Sequence, residues 1–345
     1  MKAFRLAAED RRTLAMNTGE LVMITVMGEI APPLEKSGPY RIGSDGVPRV
    51  LPGTGGIVLS HRVGDPCVGL AADHVEPAVS IRSEKRSGGA ADAANQALQT
   101  FACIGNFARV MSGRAIGKLG VVTGKHGGID NVLVDFPLEV MKRMAIGDKV
   151  QVYAYGVGLR LTEAPDVAVW NCSPRLISRW GLSLEQGRIR ARITHSVPAR
   201  IMGSGLGRNN AVKGDYDIQM SDPAAVKRHR LGALRFGDLV AITDADNRFG
   251  RSHREGWTTL GVVIHSESTV AGHGPGVVTL LSGPASRFEL VRDEGANISN
   301  YLSIRPAQPP RDAAWLPVRE GLERRPRGPA PRPARGRRIR EGAFV

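Results

Sequence analysis

The sequence predicts a β-rich α+β protein, with Gly-rich sheets arranged as a barrel or sandwich and only a few short helices. Three observations carry that expectation. Glycine makes up 42 of 345 residues, against a usual ~7%, so the chain turns sharply and often. Gly-Asp recurs between a hydrophobic residue and an alternating run, in "RVGDPCVGL" (62–70), "AIGDKVQVYAYG" (145–156) and "RFGDLVAITDAD" (235–246). Apolar residues at helical spacing are confined to short stretches.

Each Gly-Asp reads as a turn that launches a strand. Glycine supplies a positive φ, and the Asp side chain bonds nearby backbone amides. Several such units in a Gly-rich chain point to barrels or sandwiches. The helices are announced by apolar spacing or by caps. "AADAANQALQTFACIGNFARV" (90–110) carries Ala94, Ala97, Leu98, Phe101, Ala102 and Ile104 and breaks at Gly105-Asn106. "NCSPRLISRW" (171–180) offers Ser173 as N-cap before Pro174, and "SDPAAVKRHRLG" (221–232) offers Asp222 before Pro223.

Four segments follow from changes of texture. Residues 1–15 are an N-terminal extension, 16–190 a β-rich N-terminal domain and 191–310 a β-rich C-terminal domain. Residues 311–345 form an Arg/Pro-rich tail expected to be disordered. The net charge of +14 invites a nucleic-acid reading, so its distribution matters. The tail holds ten arginines and four acids, and the first 15 residues carry +2, which leaves only +6 over residues 16–310. Aromatics are 5% of the chain, too few for the aromatic-basic surfaces that bind single strands. Nucleic acid is therefore disfavoured as a partner, although the tail keeps nucleic-acid association as an alternative.

Cys67, Cys103 and Cys172 are odd in number and far apart, which argues for a reducing compartment and against structural zinc. No apolar run reaches the ~18 residues of a membrane span, and acids stand where a signal peptide would be apolar. The expectation is a cytoplasmic protein with no membrane partner, with a homo-oligomer as a candidate assembly.

Histidine and glycine mark the candidate site. In "ADHVEPAVSI" (72–81), a strand would put His74 and Glu76 on one face. An imidazole and a carboxylate so placed suit metal ligation, or a base with its orienter. A divalent metal ion is thus the candidate cofactor, with His74 and Glu76 as its ligands. Asp215 and Asp217 in "GDYDIQ" repeat the i, i+2 spacing, whereas His265 in "GVVIHSES" reads as a hydrogen-bonded core histidine. His126 in "GKHGG" and His273 in "GHGPG" share Gly-rich settings, where a ligand can approach the ring and amides can meet an oxyanion. "MGSGLGRNN" (202–210) lacks the G-x-G-x-x-G dinucleotide spacing, yet its amides could cradle a polar group. The candidate catalytic residues are His74, His126 and His273. The candidate ligand-binding residues are Gly127, Gly128, Gly203, Gly205, Gly274 and Asp217.

"VLPGTGGI", "VGDPCVGLAADHVEPAVSI", "VTGKHGGIDNVLVDFP", "MGSGLG…GDYDIQ" and "GVVIHSESTVAGHGPGV" together resemble a prokaryotic family catalogued as a domain of unknown function, over roughly Met16 to Pro306. That resemblance brings no activity. A shorter run, "KHGGIDN" followed by "IGDKVQVYAYGVGL", is similar to a segment of the acetamidase/formamidase family, which implies hydrolysis of small amides. That family's acidic Gly-Asp-Gly-Glu stretch is missing. The expected function is a hydrolase or lyase acting on a small amide or carbonyl substrate, with a small-molecule ligand as partner. A non-catalytic small-molecule binding protein is the alternative that uses the same pocket.

Overall fold

The computed structural model describes residues 12–34, 40–83 and 90–305. The tail from residue 311 and the first eleven residues of the N-terminal extension lie outside them.

The N-terminal half closes a six-stranded antiparallel barrel. Its strands are β1 (Ile24–Ile30), β2 (Ala78–Arg82), β3 (Phe107–Val110), β4 (Leu119–His126), β5 (Asn131–Asp135) and β6 (Lys149–Ala154). They pair in the order β1-β6-β3-β4-β5-β2, and β2 returns to β1 through Glu29↔Arg82 and Ile30↔Ile81. Closure satisfies both edges. The alternating β-branched residues of these strands fill one buried cluster that includes Val79, Ile81, Val122, Val134 and Val152. Helix α1 (Ala90–Phe101) adds Leu98 to this cluster. It approaches where Gly28 has no side chain: a Cβ there would stand 2.9 Å from Leu98.

The second half builds a six-stranded sheet from β7 (Ala168–Val169), β8 (His195–Pro198), β9 (Tyr216–Asp217), β10 (Leu239–Asp246), β11 (Ser252–Val263) and β12 (Gly276–Pro284). The path runs β7-β12-β11-β10-β8, with β9 also on β12. Only the β8–β10 pairing is parallel. A separate four-stranded sheet joins Arg12–Thr13, Ser183–Glu185, Arg188–Ile193 and Phe288–Arg292, so position 190 lies inside a paired strand. The β-rich fold with few short helices is thus the one the glycine excess and turn pattern predict.

The Gly-Asp turns show how local chemistry sets these strands. Gly64, Gly147 and Gly237 have φ of 99°, 87° and 85°. Each following Asp accepts a hydrogen bond from the backbone three residues earlier: Asp65 from Arg62, Asp148 from Ala145 and Asp238 from Arg235. Strands follow the second and third turns. The first launches none, because Pro66 has no N–H for a ladder and the chain runs directly into buried Cys67 and Val68. Both caps form as expected, with Ser173 accepting from Leu176 and Asp222 from Ala224.

His195, at the start of β8, gives the fold an acid-sensitive point. Its Nε2 lies 3.1 Å from the Arg230 carbonyl and its Nδ1 2.9 Å from Thr194 Oγ1. Burial pushes the imidazole down to about 4, against a smaller lift from the Arg230 carbonyl. The unfolded chain, with a pKa near ~6.5, takes up the proton first. Stability is therefore lost as pH falls from about 6.5 towards 4, by roughly 3 kcal/mol for the full shift. Denaturation curves between pH 7 and 4 should fall more steeply for the wild type than for His195→Gln. Parallel curves would overturn the assignment.

Candidate metal centre

The barrel and the second sheet meet at the end of β4. A bulge between Val122 and Gly124 turns this strand, and the glycines beyond it are there for close packing. A Cβ on Gly124 would stand 2.8 Å from the Ile264 Cβ, and one on Gly214 would stand 2.4 Å from the Gly127 Cα. Backbone therefore meets backbone at Gly127 and Gly214. The Gly127 N–H donates to Asp215 Oδ1 at 2.7 Å. His126, the last residue of β4, enters this junction and is 7% exposed.

His74 reaches the same junction by another route. Residues 71–77 are not a strand: His74 has φ 56°, and β2 begins only at Ala78. The left-handed residue breaks the alternation that would have set His74 and Glu76 side by side. Glu76 is fully buried behind His126 and takes Nδ1–H at 2.6 Å. Its other oxygen accepts from Gly55 N, Asn131 Nδ2 and Ser80 Oγ. Those donors occupy both Glu76 oxygens, so the structure sets Glu76 to orient a histidine rather than among the groups that could ligate an ion. Burial would raise its carboxyl, but the bond from His126 and the other donors hold it below the usual value.

Six groups converge in front of Glu76. His126, Asp215 and His265 form one set that could hold a metal ion, and His74, Asp217 and His273 form a second. The His126 and His265 ring centroids are 4.3 Å apart, and His74 lies 6.0, 5.0 and 4.9 Å from His126, His265 and His273. The carboxylates arrive because β9 pairs with β12 as Asp217↔Gly276, next to the turn that bears His273.

The histidine nitrogens are sorted by their partners. His126 Nδ1 is taken by Glu76, His74 Nδ1 by Asp73 at 3.0 Å, and His265 Nδ1 by the Ser266 carbonyl at 2.9 Å. In all three rings this leaves Nε2 for the cluster. Acceptors behind imidazoles are the usual means of fixing the tautomer of a metal-ligating histidine. In the first set, His265 Nε2 and Asp215 Oδ2 lie 2.7 Å apart. Both atoms are buried, and neither makes a hydrogen bond among the described residues. They form an ion pair when the ring is protonated, without the alignment of a hydrogen bond. In the second set the atoms do bond: His74 Nε2 lies 2.9 Å from His273 Nδ1, which lies 3.0 Å from Asp217 Oδ2.

Within the cluster, imidazoles and carboxylates each favour the other's charged form. Burial alone would push the His265 imidazole down, but Asp215 and Asp217 raise it well above the ordinary value. The adjacent rings of His265, His273 and His74 hold Asp217 well below the carboxylate range despite burial. Asp73 is held down to about 2, burial notwithstanding, by its bonds to His74 and Ser268. Such a site draws in positive charge, as protons or as a cation.

A cleft of about 430 Å³ opens onto the cluster, lined by His74, His126, His273, Asp215 and Asp217 as well as Gly127, Gly128 and Gly205. Gly203 and Gly274 are set against backbone instead. A Cβ on Gly203 would meet the Gly272 carbonyl at 2.0 Å, and one on Gly274 the Ile218 carbonyl at 1.8 Å. The cluster also includes two residues that the sequence did not assign to it, His265 and Asp215. His265 looked like core because it follows an apolar strand, and it is in fact fully buried. The i, i+2 spacing of Asp215 and Asp217 was the available signal.

The fold and the cluster together define a class: β-barrel proteins carrying a histidine-carboxylate centre where the barrel abuts a second sheet. The chain belongs to the family described as domain of unknown function (DUF4438), whose N-terminal model matches residues 40–178 and whose C-terminal model matches residues 179–302. The crystal structure of TM1086 is similar to it at 42% identity, over 84% of this chain and 99% of that one, with a TM-score of 0.79. Among curated proteins none matches the chain. No helix among the described residues is long and apolar enough to cross a membrane.

Proposed function

We propose that the chain is a metal-dependent hydrolase of small amide or carbonyl substrates, with a divalent ion held by His126, Asp215 and His265. The observation that supports it best is the buried pair His265 Nε2 and Asp215 Oδ2, which lie 2.7 Å apart, an ion pair when the ring is protonated but one without hydrogen-bond alignment. Two imidazoles and one carboxylate suit a catalytic ion, which keeps open positions and supplies an activated water and a polarised carbonyl. Glu76 fixes the His126 ring through Nδ1. His273, its side chain 33% exposed and tied to Asp217, stands at the cleft to pass a proton to the leaving group, with His74 next in line. The short run "KHGGIDN" followed by "IGDKVQVYAYGVGL", which in sequence resembles the acetamidase/formamidase family, is the reason for taking an amide as the scissile group. No family model or curated protein matches that resemblance.

Elemental analysis of protein purified without a histidine tag tests the metal. About one equivalent of a divalent transition metal is expected, and chelation should lower the melting temperature. A protein without metal, whose melting temperature does not respond to added zinc, manganese or cobalt, would sink the reading. Turnover is tested by ammonia or amine release from short amides. There His273→Ala should cost on the order of a hundredfold or more, and no release by the metal-loaded wild type from any amide would remove the hydrolase.

A further inference from the structure

One wall of the cleft is basic. Arg208, Lys213 and Arg251 line it. Arg251 is 2% exposed, and its guanidinium donates only to the neutral carbonyls of Gly205 at 3.4 Å and Lys213 at 2.7 Å. Its buried Nε has no hydrogen bond among the described residues. Lys213 Nζ donates to the amide oxygen of Gln96, and Arg208 is exposed. Among the described residues none of the three makes an ion pair. Arg41, across the cleft, differs in being paired with Asp73 at 3.0 Å.

The wall is fixed in place. Arg251 N donates to the Arg208 carbonyl at 2.8 Å, and Gly207 N to the Arg251 carbonyl at 2.9 Å. A buried guanidinium without a carboxylate carries a desolvation cost that nearby anions normally offset. The negative charges acting on Arg251 include Asp215 and Asp217, and Arg208 opposes it as a like charge; both carboxylates face the histidines. Once a cation neutralises them, Arg251 is left with unbalanced positive charge and an unused donor.

We propose that Arg208, Lys213 and Arg251 seat an anionic group of the substrate, a carboxylate or phosphate, beside the bond to be broken. The inference rests on the metal-hydrolase reading for the position of the reacting group, and the binding of the anion can be measured apart from it. Guanidinium and ammonium donors give such an oxyanion charge-assisted bonds that a neutral amide cannot match.

Titration calorimetry of the full chain with malonate, inorganic phosphate and neutral malonamide tests it. The anions should bind at least about tenfold more tightly than the diamide. The double variant Arg208→Gln/Lys213→Gln should weaken them about tenfold or more while leaving metal content unchanged. Because Arg251 is buried, Arg251→Lys serves as the second variant, keeping the charge but losing the fork, and it too should weaken the anions. Anion binding that survives chelation and falls in both variants supports the wall even where no metal is found. Binding that vanishes on chelation yet ignores the double variant places the anion on the ion and overturns the wall, as does a diamide that binds as tightly as malonate.

Discussion

His265→Ala is expected to abolish metal binding and to cost about 2–4 kcal/mol of stability. The ring is fully buried, and its Nδ1–H satisfies the Ser266 carbonyl. Its removal leaves that carbonyl short of a donor and a void behind it. It also leaves Asp215 and Asp217, which already raise each other's cost of ionisation, without the cation between them. Removing one partner from a buried charged group costs more than the pair contributes. His273→Ala is the contrast, because that side chain is 33% exposed and stands outside the first set. It should keep the metal and lose less than about 1 kcal/mol. Elemental analysis with denaturant unfolding of both variants decides the matter. A His265→Ala protein with wild-type metal content would remove His265 from the centre.

Gly276→Ala should be more damaging than its chemistry suggests, at more than about 3 kcal/mol, with loss of the bound ion. An added Cβ would stand 1.9 Å from Asp215 Oδ2 and 2.2 Å from His265 Nε2. Neither partner can swing aside. Asp215 is tied through Oδ1 to Gly127 N, and His265 is wedged against Ser266. The backbone of β12 must therefore part from β9, where Gly276 pairs with Asp217. Gly272→Ala separates crowding from backbone strain. Its φ is +77°, but nothing lies within 4 Å of the added carbon, so only the left-handed cost of about 1–2 kcal/mol applies. Thermal unfolding should rank Gly276→Ala well below Gly272→Ala, and equal midpoints would show that the junction gives way easily.

The elements that were legible in the sequence are those whose cause is local. Gly147-Asp148 and Gly237-Asp238 make the turns expected of them because a positive φ and an Asx bond need only neighbours. The Ser173 and Asp222 caps form for the same reason. Period failed at residues 71–77, where a left-handed His74 re-aims both side chains and alternation carries no information.

The sequence by itself determined a β-rich chain, the places where it turns, and which ionisable groups stand beside glycine. Tertiary structure alone decided which of those groups meet. His74 and His273 are 199 residues apart, and His126 and Glu76 are 50 apart, so no window of sequence contains either pair. It decided, too, which ring nitrogen remains available. That depends on acceptors contributed by Asp73, Glu76 and the Ser266 carbonyl, held there by other strands and loops. The glycines of "GKHGG" show the same division. Their spacing announces that something must come close, and the fold reveals that at Gly127 this is the backbone of Gly214. Close approach is a steric demand encoded in one residue, whereas the identity of the neighbour is set by sheet pairing across the whole chain.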